Sequence, residues 1–321
     1  MKVFLTGSTG YVGNYILRAL IDHGYSVKCL VRQATEKKLR IKDACEICHG
    51  DILDYDSLLP AMLGCDAVIN LVGIIREFPA RGITFTNLHY IATQNCIDAA
   101  QELGIDRFVQ MSALGTRENA RSMYHKTKYM AEEYVIKSGL TYTIFRPSLI
   151  FGKQDMSINL FAEKINKLPV FPVFGNGRYR LQPVSVENVA EGFAKAIESK
   201  QAFNKIFEIG GPKKYEFNEL LDAIGKTLGK RVWKLHIPLF VTKPLLWLIG
   251  RFSFSPITYE QLTMLLEDSV CDERQFYKTF KIEPIPLEEG IKRYIQTKRQ
   301  VKNKKEPDRW TTRKSWSLVV G

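Results

Sequence analysis

Ser112, Tyr124 and Lys128 are the residues whose types and spacing could carry a reaction in this chain. Tyr124-x-x-x-Lys128 puts a phenol and an ammonium one turn apart on one helix face. An ammonium so placed lowers the phenol pKa and holds a ribose, while the phenol gives or takes a proton at a substrate oxygen that the serine orients. The same spacing recurs at Tyr277/Lys281 and Tyr294/Lys298, so it discriminates little by itself. Only the first pair has a hydroxyl twelve residues upstream, Ser112; the others have Leu265 and Ile282 there. The plainer alternatives are a turn role for Ser112, a packing role for Tyr124 and ribose binding without turnover for Lys128.

A second constellation binds rather than reacts. Gly7-Ser8-Thr9-Gly10-Tyr11-Val12-Gly13 follows a short apolar stretch directly and opens a helical pattern. Gly7 permits a tight turn, Gly10 lets backbone approach a pyrophosphate, and Gly13 lets helix and strand pack closely, with phosphates at the positive helix N-terminus. An NAD site carries Asp or Glu at the end of the second strand, and here Arg32 stands there. A guanidinium pairs with a 2′-phosphate, so NADP(H) is expected over NAD(H), with Lys37 and Lys38 nearby; stacking of Arg32 on adenine is the alternative. Asp51 and Ile52, after the third strand, are expected near the adenine amino group. Asn70, Leu71, Val72 and Gly73 end the fourth strand beside the cofactor channel.

These residues need strands and helices in alternation to hold them. Strand-length apolar runs fall at Lys2–Leu5, Ser26–Val31, Ala67–Leu71, Arg107–Met111 and Thr141–Phe145. Helical patterns lie between them, at about Tyr11–His23, Asp56–Leu63, Phe85–Leu103 and Tyr124–Ser138. That is the signature of βαβ units and predicts an α/β fold, a doubly wound parallel (Rossmann) sheet, with Ser112 at a strand's carboxyl end where the ligand crevice opens. Past Phe151 the spacing turns irregular, through the turn Gly175-Asn176-Gly177, a helix near Val186–Ile197 and a strand at Lys205–Ile209. The expected division is a dinucleotide-binding domain of residues 1–151 with about 183–205, and a smaller interleaved C-terminal α+β substrate domain of about 152–182 with 206–296. A cleft is expected between them.

With 321 residues, 45% apolar and 25% charged, the composition is that of a folded protein and excludes collagen-like and disordered classes. The net charge of +12 sits mostly in a tail: from Ile291 to Gly321 there are ten Lys or Arg against Glu306 and Asp308. Residues 297–321 are expected to be a disordered basic tail, with Trp310 and Trp316 offering a lesser chance of contact with anionic lipid. A charge excess confined to a tail, without a basic groove, argues against nucleic acid. Six cysteines form no disulfide framework in a reducing compartment, and Cys45-x-x-Cys48 has no second Cys or His pair to complete a metal site. His125 is expected on a helix surface. The N-terminal apolar stretch is too short for a signal h-region, which places the protein in the cytoplasm, with a peripheral position on an inner membrane face as the variant. Leu235–Phe252 is the most apolar segment but is broken by Pro238, Lys243, Pro244 and Arg251, so it is no membrane span. Burial in the second domain is the first expectation for it, an interfacial element the second.

TGSTGYVG, NLVG, Ser112 with Tyr124 and Lys128, Arg146-Pro147-Ser148 to Phe151-Gly152, and RLQPVSVENVA together resemble the extended or atypical short-chain dehydrogenase/reductase superfamily over residues 1 to about 295. SALGTRENARSMYHKTK and GNGRYRLQPVSVENVAEGF are most similar to bacterial relatives of the NADPH-binding accessory subunit of respiratory complex I. The resemblance implies a Rossmann domain with a small C-terminal domain, and Pro147 and Ser148 as contacts bordering the nicotinamide. Asn87 falls where the superfamily often has an asparagine on the helix after the fourth strand. Gln182 and Pro183 replace the acidic and aromatic pair usual in sugar-nucleotide epimerases, which argues against such a substrate. Two functions follow: an NADP(H)-dependent oxidoreductase acting on a carbonyl, hydroxyl or quinone-like small molecule, or a non-catalytic NADP(H)-binding subunit or assembly factor of a respiratory-type membrane complex.

Overall fold

In the computed structural model, residues 1–249 and 257–294 are described. Six strands, β1 (Lys2–Thr6), β2 (Ser26–Val31), β3 (Glu46–His49), β4 (Ala67–Asn70), β5 (Arg107–Met111) and β6 (Thr141–Pro147), join the strand Lys205–Ile209 in one sheet. Its order is Lys205–Ile209, β6, β5, β4, β1, β2, β3, and every pairing is parallel. Strand order therefore reverses between β1 and β4, the switch point at which doubly wound sheets open a crevice. Lys205–Ile209 begins at the boundary expected near residue 205, and its Phe207 and Ile209 pack into the core beneath this sheet.

Helices cover both faces, as right-handed crossovers require. α1 (Tyr11–Asp22), α6 (Val186–Ala196) and α10 (Arg274–Phe280) send Leu17, Phe193 and Phe276 to one face, where Val3 and Leu5 of β1 point. α2 (Tyr55–Met62), α3 (Ala92–Glu102) and α4 (Met123–Lys137) cover the other, where Phe4 points. With both faces buried, β1 reads as a continuous apolar run rather than an alternating one.

The smaller core gathers Phe171 and Val173 from the strand Phe171–Phe174 with Phe217, Leu220 and Ile224 of α7 (Phe217–Leu228), closed by α5 (Ile158–Lys167). Lys234–Ile237 pairs with Phe171–Phe174 in a two-stranded parallel ribbon. The burial expected for Leu235–Phe252 does not hold. Leu235 and Phe240 are exposed, and α8 (Leu239–Ile249) buries Thr242 and Leu246 among its described side chains. The reason is that α5, α7 and the ribbon already close the small core. Residues 250–252 of that segment, and the basic tail, lie outside the described residues. No helix among the described residues is long and apolar enough to cross a membrane.

Candidate functional site

The loop from β1 to α1 makes a cradle out of glycine. Gly7 has φ +71°, and its carbonyl accepts from the Gly10 N–H at 3.0 Å, closing the turn. A Cβ on Gly13 would lie 2.1 Å from the Gly7 carbonyl oxygen, so only glycine allows α1 to start this close to the strand end. Gly10 is the extended N-cap of α1, leaving the helix N-terminus open toward the loop. Asn14, one turn into α1, donates to the Gly10 carbonyl at 2.9 Å and accepts from the Arg40 N–H at 3.0 Å. The segment after β2, which carries Arg32, is thereby pinned to the glycine loop.

A groove opens at this loop, lined by Gly7, Thr9, Leu30, Arg32, Thr35, Gly50, Asp51, Ile52, Val72 and Leu88. Gly7, Thr9, Arg32, Asp51, Ile52 and Val72 were expected there from sequence and come together. Thr35 was not expected; its hydroxyl donates to the Arg32 carbonyl at 2.9 Å and shapes the turn that presents the guanidinium.

Other predicted residues serve as framework. Ser8 is buried with an unpartnered hydroxyl, and Val12 packs against the first core. Tyr11 turns away from the groove, with its hydroxyl where a Cβ on Gly152 would come within 2.4 Å of it. Asn70 is fully buried: it accepts from Thr6 Oγ1 at 2.7 Å and donates to Thr93 Oγ1 and Gln110 Oε1, locking the ends of β1, β4 and β5 together. Leu71 lies against Gly7. Pro147 closes β6 and accepts from the Leu114 N–H at 2.9 Å, while the Ser148 hydroxyl lies 2.9 Å from the Ser269 carbonyl in the small domain.

The reactive end is built from α4. Lys128 is buried and its Nζ donates to the Met111 carbonyl at 3.1 Å, the peptide that precedes Ser112. The same ammonium would touch a Cβ on Gly73 at 2.9 Å, so glycine at the end of β4 makes room for it. Val72 lines the nucleotide groove and Gly73, next in the chain, borders Lys128, which sets the two sites side by side. Burial lowers the Lys128 pKa to about 8, partly countered by the charge of Glu132 one turn on. Glu132 in turn is held by Arg146 of β6 through a bidentate pair. Ser112, buried, has its hydroxyl 3.3 Å from that of Thr116.

Tyr124 stands half-buried among edge-on rings, 5.8 Å from Phe85 and 5.1 Å from both His89 and His125. The lowering of its pKa expected from Lys128 does not hold: burial pushes it up to about 12 instead. Asn87 donates to the Gly82 carbonyl at 2.8 Å. His89 takes the inner position: fully buried, with Nδ1 2.9 Å from Thr127 Oγ1 and Nε2 3.0 Å from the Ile74 carbonyl. Burial and the neighbouring Lys128 charge hold His89 neutral, well below the usual imidazole range. Its signal in the sequence was a lone polar residue on the apolar stripe Phe85, Leu88, Ala92, Cys96. His125 also departs from its expected surface position. It is buried, close to Gly115, and burial lowers its pKa to about 4. The small domain helps position this helix, since Glu260 of α9 (Tyr259–Leu266) accepts from the Met123 N–H at 3.0 Å.

A parallel sheet reversing at β1, with a glycine cradle at its first turn and a groove running across the carboxyl strand ends, defines a dinucleotide-binding Rossmann protein. Residues 3–210 match the model of the NAD dependent epimerase/dehydratase family, and the chain belongs to that family. Among curated relatives, the mitochondrial NADH dehydrogenase (ubiquinone) 1 alpha subcomplex subunit 9 of Arabidopsis thaliana is 29% identical over 240 residues, 73% of this chain and 59% of that protein. The chain thus spans less than two thirds of the plant subunit. The mitochondrial NADH-ubiquinone oxidoreductase 40 kDa subunit of Neurospora crassa is 25% identical over 301 residues, 91% of this chain and 78% of that protein. Among solved structures, the UDP-glucose 4-epimerase of Thermotoga maritima with UDP-glucose superposes with a TM-score of 0.73 at 20% identity, over 94% of this chain and 99% of that one, a likeness of fold.

Proposed function

We propose that the protein is an NADP(H)-dependent oxidoreductase acting on a carbonyl, hydroxyl or quinone-like small molecule. The observation that carries this reading is Lys128, whose ammonium is held at the Met111 carbonyl, beside Ser112, one turn from Tyr124 and against Gly73, the residue after Val72 of the nucleotide groove. The cradle and groove suit a dinucleotide. Gly7 to Gly13 would hold its phosphates, Arg32 its 2′-phosphate, and Asp51 and Ile52 its adenine, with Val72, Gly73, Pro147 and Ser148 toward the nicotinamide. When bound, that group supplies or accepts the two electrons of the reaction.

The chain's own residues handle the proton. With its pKa pushed up to about 12, the Tyr124 phenol is protonated at neutral pH and donates to a substrate oxygen as negative charge develops there. Ser112 orients that oxygen. Lys128, charged below about 8, stabilises the phenolate left behind. His89 and His125 are neutral and leave this charge to the lysine. NADPH oxidation against a panel of carbonyls and quinones, for the wild type and Tyr124→Phe, tests the assignment. A fall in kcat of roughly 10²- to 10⁴-fold, with NADPH affinity retained, is expected; turnover unaffected by the substitution overturns it.

The names of the relatives favour a second role for the same site, that of a cofactor-binding accessory subunit or assembly factor of a respiratory-type membrane complex. There the dinucleotide is bound without turnover, and the protein sits in the cytoplasm against the inner face of the membrane. Cofactor that copurifies, no turnover across the panel, and comigration with a membrane complex on native gels mark this role.

A further inference from the structure

The ribbon of the small domain is amphipathic the wrong way round for a free surface. Its inner positions Phe171 and Val173 feed the small core, as they should. Its outer positions should be polar, but Pro172 is exposed opposite Leu235, which is 59% exposed, and Val170 (42%) lies beside Trp233 (58%) just before it. The helix that follows repeats the inversion. α8 buries Thr242 and turns out Phe240, at 78% exposure, and Val241. Large apolar side chains exposed this densely, Trp233, Leu235, Phe240 and Val241 within nine residues, mark a contact site rather than scatter.

Charge identifies what the face meets. From Ala223 to Tyr259 the chain has no Asp or Glu and six Lys or Arg. Two of these frame the patch: the Arg231 guanidinium lies 4.5 Å over the Trp233 ring, and Lys243 projects beside Phe240 and Val241. Aromatic rings with cations at their rim match the lipid–water boundary, where rings sit at headgroup depth and cations meet lipid phosphates. A second copy of this chain would set like charges against each other. The sequence from residue 297 to the end adds eight Lys or Arg against Glu306 and Asp308, a second electrostatic signal of the same sign. We infer that this face docks on an anionic bilayer surface, dipping Trp233, Leu235 and Phe240 into the headgroup region without spanning it. The inference gives a surface to the peripheral position and is independent of turnover.

Cosedimentation with vesicles of phosphatidylcholine, with or without phosphatidylglycerol, tests it at low and high salt. The full chain is compared with Trp233→Ser/Leu235→Ser/Phe240→Ser and with Arg231→Glu/Lys243→Glu. All five side chains are outside the cofactor site, so NADPH titration verifies that each variant is folded. The expected result is partitioning onto phosphatidylglycerol vesicles that high salt releases, lowered roughly a hundredfold by the triple serine variant and on the order of tenfold by the charge reversal. No partitioning of the wild type at low salt overturns the inference, whatever soluble or membrane protein it then binds. Equal partitioning of wild type and triple variant overturns it too, because the tail alone would be the anchor.

Discussion

Under the proposed function, Arg32 sets which dinucleotide the groove accepts and Lys128 the pH at which it works. Arg32 lines the groove where an NAD site would carry a carboxylate. Arg32→Glu replaces a charge-assisted pair by repulsion and is expected to cost about 2 to 4 kcal/mol of NADPH affinity, with NADH unchanged or improved. Titration with both dinucleotides measures this, and equal weakening of both removes Arg32 as the discriminating residue. Lys128 gives a pH prediction with opposite signs for activity and stability. Its folded pKa, lowered by burial to about 8, lies beneath the unfolded value of 10.5. The unfolded chain therefore binds more protons between those values, so this residue's contribution to stability improves as pH rises through that window. The proposed mechanism needs the ammonium, so it predicts a kcat/KM that is level below about pH 7 and falls above about pH 8. Joint pH profiles of kcat/KM and of the denaturant midpoint check the pair. Rate and midpoint collapsing together above pH 8 would show global unfolding instead.

The elements were legible where local chemistry dictates them. β2 and β5 fall at the residues that the apolar runs marked, because a strand buried on both faces announces itself by composition, and the edge strand Lys205–Ile209 falls where its alternation marked it. The glycine loop was legible by order alone, strand then glycines then helix. What spacing could not show is orientation. The run Phe85–Leu103 was read as one helix, but it opens with a π-helical segment, Thr86–Ile91, which turns His89 inward and leaves Asn87 outside. Likewise α8 was marked as apolar, yet composition cannot say which apolar segment finds a core when another already closes it. The loop gives the sharpest test at this scale. In Gly13→Ala the new methyl meets a backbone carbonyl that no rotamer can move, so at least about 1 to 3 kcal/mol of stability is expected to be lost, together with NADPH binding. Thermal melts and NADPH titration would show both; Gly13→Ala binding NADPH normally would mean that α1 tolerates being pushed off β1.

The two domains are interleaved in a way that binds their fates together. The chain leaves the large domain after β6, returns for α6 and Lys205–Ile209, builds the small core, then comes back through α10. Phe276 and Phe280 of α10 sit in the same core as Phe145, Phe193 and Phe207, and the chain then returns once more to the small core with Leu287, Ile291 and Tyr294. The strap before α10 adds polar ties: Cys271 N–H donates to Gln182 Oε1 at 2.8 Å, and Arg180 pairs with Asp268 at 2.6 Å. The large domain cannot lose α10 without exposing these rings, and the small domain cannot open without pulling on the strap that precedes them. The described residues are therefore expected to unfold in one cooperative transition, with calorimetric and van't Hoff enthalpies in agreement. NADPH at about a hundred times its Kd should raise stability by about 2.7 kcal/mol and move that whole transition upward. Scanning calorimetry with and without NADPH decides the point. A melt that splits in two, with only the upper peak responding to the nucleotide, would show that the shared aromatic core does not couple the domains.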